Sequence, residues 1–540
     1  MKTIFTFIMV WILSDQSPTS LLSENESDFG TTENAEARKD FERGLLLLHN
    51  FEYPDAKELF RETQKKDPLF GLAYWGEAMT YNHPVWHSQD AVSARAVIKK
   101  YKNVRQGKNA EESALDKDLL KSLDILYGEG KKPMRDKAYA DFMALLYEKY
   151  KGNHDVAAFY ALSLLGLAEG WNKEICNKAA EISGAILKEN PKHPGALHYF
   201  IHAEDHPEYA KLAWDAANDY ARVASYSGHA LHMPSHIYLA LGLWDDVVRS
   251  NEISWQAGVD RKKVKKLNND ALNYHGHWWL EYGYLQQGRF TKAQEVLKNQ
   301  LAFTRELSSP SARTHFLIMK GHYLVETNDW KNSLALEDVE VNDLKIEIRT
   351  LDHFVKGLMA YRNNDEKSLE KIVQQIQSEI DQSKQMKLAN DGIIICKVVP
   401  YSQGSLPSQT GINQATVLKE ELSALLAFLN KDLPGAREHF QNAIDLEEKN
   451  GYFFGPPEIL KPTHEFYGEF LMAIHEPQHA LVSFEKALQK SPGRTQSLLG
   501  LIEASRKTSA DTKEAEAAKI LKNNLRNADA SDRDGFFTIR

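Results

Sequence analysis

Cysteine is nearly absent: only Cys176 and Cys396 occur in 540 residues. That excludes a disulfide framework and any zinc site made of thiolates alone. A basic surplus is also missing, with 66 Lys and Arg against 75 Asp and Glu and a net charge of −9, which argues against nucleic acid as a partner. Beyond the N-terminus no apolar run reaches membrane-spanning length. The chain has no Walker loop, no dinucleotide-binding glycine fingerprint and no nucleophile elbow, and β-type alternation is scarce. What remains is 42% hydrophobic content with 10% aromatics, enough to bury a large core, and 20 histidines.

Met1-Lys2 precedes a short apolar run, Ile4 to Leu13, and a small, polar stretch to Ser20. This is the layout of a secretory signal, with an apolar core too short to cross a bilayer. Residues 1–20 are therefore expected to direct export, giving a secreted or periplasmic protein, and 21–36 to form a disordered acidic lead. Asn25-Glu26-Ser27 is a lone glycosylation sequon and carries little weight.

From there the apolar pattern is helical almost throughout. Gly44, Ala56, Phe60 and Pro68 fit the slots of a tetratricopeptide repeat, whose period is about 34 residues. Gly468, Ala480, Phe484, Ala487 and Pro492 fit them again, as do Ala424, Ala436, Phe440 and Ala443. Gly288, Phe290 and Ala293 mark another unit; Gly242 with Trp244 and Asn328 with Trp330 mark two further turns. Small residues let paired helices approach, aromatics fill the gap to the next unit, and proline stops the second helix. The expected fold is an all-α tetratricopeptide-repeat superhelix over residues 37–526. Two loop insertions are expected. One, 258–270, carries Arg261, Lys262, Lys263, Lys265 and Lys266, a solvated run or a dock for an acidic partner. The other, 385–416, holds the apolar stretch Ile393–Val399 and lies across one surface. Residues 527–540 are expected to be a flexible tail.

Histidine is concentrated between Ala196 and Ile237. His198, His202 and Asp205 follow i, i+4, i+7, one face of a helix. His229, His232 and His236 follow i, i+3, i+7, with Pro234 tolerable only in a first turn. Counted from the turn glycines, these positions, His275 of the next unit and His315 and His322 of the one after share the register that lines the concave groove of such arrays. Neutral imidazole is the commonest metal ligand, and many clustered together would repel one another once protonated. His198, His202, Asp205, His229, His232, His236 and His275 are therefore candidate ligands for a divalent transition metal. Zinc, copper, iron and manganese all accept imidazole with carboxylate. With more donors than one tetrahedral ion uses, either two ions bind or some of these residues orient the ligands or contact substrate. Tyr199 stands where a zinc protease helix would carry its glutamate, which excludes that chemistry. Glu77, His83 and His87 are further groove candidates, and Trp278 and Tyr282 either cover a ligand or pack between helices.

His198–Pro207 and His229–Ile237 resemble the His-Tyr-x-Ile-His-Ala-x-Asp-x-Pro and His-Ala-x-His-Met-Pro-Ser-His-Ile motifs of a family of tetratricopeptide-repeat proteins, mostly bacterial and often exported. The likeness runs on through Trp75–Met79, Phe159–Leu165, Tyr284-Leu-Gln, Gly455-Pro-Pro and Gly468-Glu-Phe-Leu, most of the chain beyond residue 40. Asn273-Tyr-His-Gly-His277-Trp is similar, more distantly, to tetratricopeptide repeat protein 38. The resemblance implies the fold and no activity. His315 and His322 lie outside its motifs, which weakens them as ligands.

The leading functional expectation is an exported metal-binding protein, with a metal-dependent enzyme as its sharper form. A non-enzymatic scaffold that clamps a peptide or protein in its groove is the alternative, and a metal that only rivets adjacent repeats is the third.

Overall fold

The computed structural model describes residues 29, 32–108, 112–168, 170–390 and 407–529. Its first hairpin shows how the repeats form. Asn34 caps helix Ala35–His49 by accepting from the Ala37 amide, and Glu36 sits in the first turn, where the helix dipole favours negative charge. Phe41, Leu45 and Leu48 are buried on one face of it, against Ala56 and Phe60 of helix Tyr53–Lys66. Phe60 then wedges between units: a Cβ on Gly44 would come within 2.9 Å of its ring, and one on Gly76 within 2.4 Å. Phe484 repeats this between Gly468 and Gly500, at 2.8 and 2.3 Å. The glycine and aromatic slots of the sequence are thus the contacts that stack one hairpin on the next, and the chain is an all-α tetratricopeptide-type superhelix. Among the described residues the strand content is one antiparallel pair, Asn82–His83 with Ser88–Gln89.

Two large apolar cores, one from residues 29–203 and the other from 238–528, flank a small one from 197–240. The histidine-bearing helices lie at this junction. The superhelix also closes on itself there. The turn after the first helix reaches across the array: the Asn50 amide donates to Tyr226 Oη at 3.0 Å, Tyr220 Oη donates back at 2.9 Å, and Ser227 Oγ donates to Glu52 at 2.8 Å. At the other end Trp244 Nε1 donates to the Gly493 carbonyl at 2.9 Å and Thr495 pairs with Gln286. The fully buried Arg494 guanidinium joins Glu465, Glu326 and Tyr282.

Several boundaries differ from expectation. Residues 258–270 are largely helix, because Trp244–Lys265 continues unbroken. Two of its five basic residues are paired, Arg261 forking onto Asp55 and Lys265 reaching Asp55 and Glu58 at 2.9 and 2.8 Å, while Lys263 and Lys266 are exposed. The described ends of 385–416 belong to helices Glu366–Asn390 and Gln409–Leu429; the rest of that segment lies outside the described residues. In the expected lead, Phe29 is buried against Trp75 and Phe159, and helix begins at Ala35. In the expected tail, the Asp529 amide donates to Gly288 O at 3.1 Å and its carboxylate accepts from the Thr291 amide at 2.8 Å. The expected signal, residues 1–20, and residues 530–540 lie outside the described residues. No helix among those described is long and apolar enough to cross a membrane.

Candidate metal centre

His193 caps helix Pro194–Glu204 by accepting from the Ala196 amide at 3.1 Å, with Pro194 in the first turn, where its missing N–H costs nothing. The i, i+4 spacing then places His198 and His202 on one buried face. The helix ends at Glu204, so Asp205 leaves the expected i+7 face. Pro234 splits the next histidine run into Gly228–His232, capped by Ser227, and Pro234–Ala240, which starts with that proline. His275 comes from helix Tyr274–Gln286, capped by Asn273.

These helices sort six imidazoles into two triads. In the first, His198 Nε2 lies 3.2 Å from His202 Nε2 and 3.1 Å from His229 Nε2. Its Nδ1 donates to the backbone carbonyl of His49 at 2.7 Å. A carbonyl only accepts, so the His198 proton sits on Nδ1 and Nε2 presents a lone pair. Three nitrogens around a tetrahedral ion at about 2.0–2.1 Å stand about 3.3 Å apart, close to what this triad already shows. In the second triad, His232 Nδ1 donates to Asn251 Oδ1 at 2.6 Å, and its Nε2 is buried without a partner. His236 Nδ1 shares a 2.5 Å hydrogen bond with Asp205 Oδ2. His275 completes the set; within each triad one donor atom from every residue lies within 4.8 Å of the others. The triads are neighbours, with ring centroids 5.7 Å apart for His202 and His236 and 6.3 Å for His229 and His232. Asp205 therefore holds a ligand ring in place instead of joining the donors.

Burial depresses every one of the six rings. His232 and His236 fall to about 3, and His198, His202, His229 and His275 fall well below the usual imidazole range, the neighbouring rings adding to the effect of burial. Burial also pushes Asp205 up to about 8. The rings stay neutral without a metal, so mutual repulsion does not by itself require one. The convergent, partly orphaned nitrogens make the stronger case, since buried polar atoms are normally satisfied.

A third grouping, His49, Asp155 and His193, is of a different kind. His49 bonds Tyr199 Oη and Asp155, each at 3.0 Å, while His193 uses Nδ1 on the Ala196 amide and Nε2 on Asp155 at 3.3 Å. Every ring nitrogen is engaged. Burial pushes the Asp155 carboxyl up, but the hydrogen bonds from His193 and His49 outweigh it and hold the carboxyl well below its usual range. This cluster fixes His49, whose carbonyl in turn orients His198.

The remaining sequence candidates sit elsewhere. Glu77 pairs with Arg61 and Gln64, and His83 stacks on Tyr53. His87 ends a short turn beside Trp86. His315 donates to the Ser311 carbonyl, and His322 lies between Trp278 and Tyr282; neither joins a triad. His49, Phe51, Asn251 and Trp279 were not legible as site residues. Phe51, in the left-handed region at φ 57°, puts its ring 4.3 Å from His198 and 5.5 Å from His229. Trp279 meets His232 edge-on at 4.8 Å and lies tilted 4.4 Å from His236. Gly455 closes on Trp279, and Tyr452 packs on His206 while its carbonyl accepts from the Trp171 amide, so the 452–455 segment seals that side. Cys176 is buried, and Cys396 lies outside the described residues.

No family model matches the chain, and no curated protein matches it. Solved structures do. A chain of the APC/C hetero-tetramer Cut9–Hcn1 is 11% identical over 93% of this chain and 76% of its own, with a TM-score of 0.37. Human IFIT1, a dimer with m7Gppp-AAAA, is 11% identical over 94% and 99%, TM-score 0.36. Yeast Tom70 is 11% identical over 88% and 96%, TM-score 0.31. Superpositions this loose carry no argument about the site.

Proposed function

We propose that this chain is an exported, metal-dependent protein whose two histidine triads hold transition-metal ions and act on a molecule admitted beside them. The observation that carries the reading is His198 Nε2 lying 3.2 and 3.1 Å from the Nε2 atoms of His202 and His229, with its own tautomer presenting a lone pair to them. Three protein donors leave a coordination position open, the arrangement of reactive rather than purely structural sites. His229 and His275 are the partly exposed members of their triads, so that position faces their side of the groove. There a bound metal would act as Lewis acid or redox centre. The chain's own residues orient the imidazoles through His49, Asn251 and Asp205, while Phe51 and Trp279 keep water from most of the site. In the scaffold reading the same groove would clamp a peptide past the Phe51 turn and the 452–455 segment. Export rests on the Met1–Ser20 layout alone, and N-terminal sequencing of the mature protein checks it.

Metal analysis of full-length protein purified without chelator, beside the His232→Ala/His236→Ala variant, tests the reading. Stoichiometric metal in the parent, reduced in the variant, is expected. Metal-free parent protein overturns the proposal. Metal whose removal unfolds the array would move the role from reactive to structural.

A further inference from the structure

The metal-binding reading leaves the number and charge of the ions open, and the donor set bears on both. All six convergent groups are imidazoles, which are uncharged when they bind metal. Around them, two carboxylates touch the rings or their backbone: Asp205 on His236, and Glu52, which accepts from the His229 amide at 3.4 Å. Burial pushes the Glu52 carboxyl up, and Ser227 Oγ donates to it at 2.8 Å. Among the described residues Asp205 is thus the one carboxyl group hydrogen-bonded to a ring of the pair. The triads adjoin, as the 5.7 and 6.3 Å ring separations show, so two bound ions feel each other through a dry interior. Repulsion between two divalent ions is fourfold that between two monovalent ions at the same separation, and low dielectric magnifies it. A divalent pair would need a bridging anion before it could settle; a monovalent pair would not. Imidazole suits copper as it does zinc; copper(I) is content with three nitrogen donors, whereas zinc on three protein ligands takes water or substrate as its fourth. The orphaned, fully buried Nε2 of His232 gives the second triad its own claim to an ion.

Resting on the metal-binding reading, we propose that the two triads form a paired copper(I) site, one ion on His198, His202 and His229 and one on His232, His236 and His275. The test is anaerobic titration of metal-stripped, full-length protein with copper(I) held by bicinchoninate, alongside zinc(II) held by a chromogenic chelator. Two copper(I) equivalents withdrawn per chain are expected, with nitrogen-only coordination by X-ray absorption. His229→Ala and His275→Ala, which alter the least buried ligand of each triad, should each retain one equivalent. His315→Ala, outside both triads, should retain two. Thermal melts of all three variants establish that they fold. A single copper(I) equivalent in the parent overturns the pair. Two zinc ions with copper(I) refused overturns the assignment of copper while leaving metal binding intact. Failure to bind either metal overturns both.

Discussion

Asn251 decides which nitrogen His232 presents. Its amide donates to the Val247 carbonyl, which turns Oδ1 toward His232, and an oxygen there demands a protonated Nδ1. Partners of this kind are typically worth about 10–100-fold in metal affinity. Asn251→Ala is therefore expected to weaken binding at the second triad by about that factor without changing stoichiometry, as read by chelator competition; unchanged affinity would remove Asn251 from the site. Gly455 is the second decisive residue. It sits at φ +104°, and a Cβ there would come within 2.4 Å of Trp279. Gly455→Ala should cost about 1–3 kcal/mol in backbone strain alone, measurable as a lower denaturation midpoint. At this scale the sequence was informative where spacing on one helix sets the geometry, as for His198 and His202. It was silent where the partner is a backbone carbonyl, as for His49, because no side-chain pattern encodes one.

Among the elements, the long helix Trp244–Lys265 behaves least as composition implied. A run of five basic residues reads as solvated, yet Arg261 and Lys265 strap it to the opening hairpin through Asp55. Burial pushes the Asp55 carboxyl up, but the hydrogen bonds from Arg261 and Lys265 outweigh it and hold the group below its usual range. A depressed value means the strap stabilises fully above the ordinary carboxylate value of about 4 and is lost as pH falls below it. Asp55→Asn should flatten the acid limb of the stability curve below about pH 4; acid limbs that coincide for parent and variant would show that the strap contributes nothing. The histidine segment is the opposite case. Pro234 already hinted at a break, and His232 and His236 on either side of it join one group while His229 joins the other. The sequence placed these histidines in one groove but not in two groups, since the division falls within Gly228–His232 and depends on how that helix meets Pro194–Glu204 and Tyr274–Gln286.

For the whole molecule, the contacts that matter are between residues one to three hundred positions apart, beyond the reach of any periodicity. Repeat slots such as Gly44 with Phe60 are local and were legible; the meeting of Arg494 with Glu326 and of Trp244 with Gly493 was not. Arg494 is fully buried among its partners, and removing one side of such an arrangement typically costs about 3–5 kcal/mol because charges remain stranded. Arg494→Met is expected to destabilise by about that amount. Hydrogen exchange should show helices Tyr274–Gln286 and Thr495–Thr508 losing protection together, and loss confined to one of them would mean the ring is not closed there. The seal of Tyr452 and Gly455 has a further consequence in time. A ribosome makes His198 through His275 well before it makes the segment that covers them. At about 5–20 residues per second, the intervening stretch takes roughly 10–35 s, during which all six imidazoles exist on a chain still lacking its cover. Under the proposed metal binding, loading before that cover arrives and loading afterwards would be distinct kinetic regimes, the second gated by how often 452–455 lifts from Trp279.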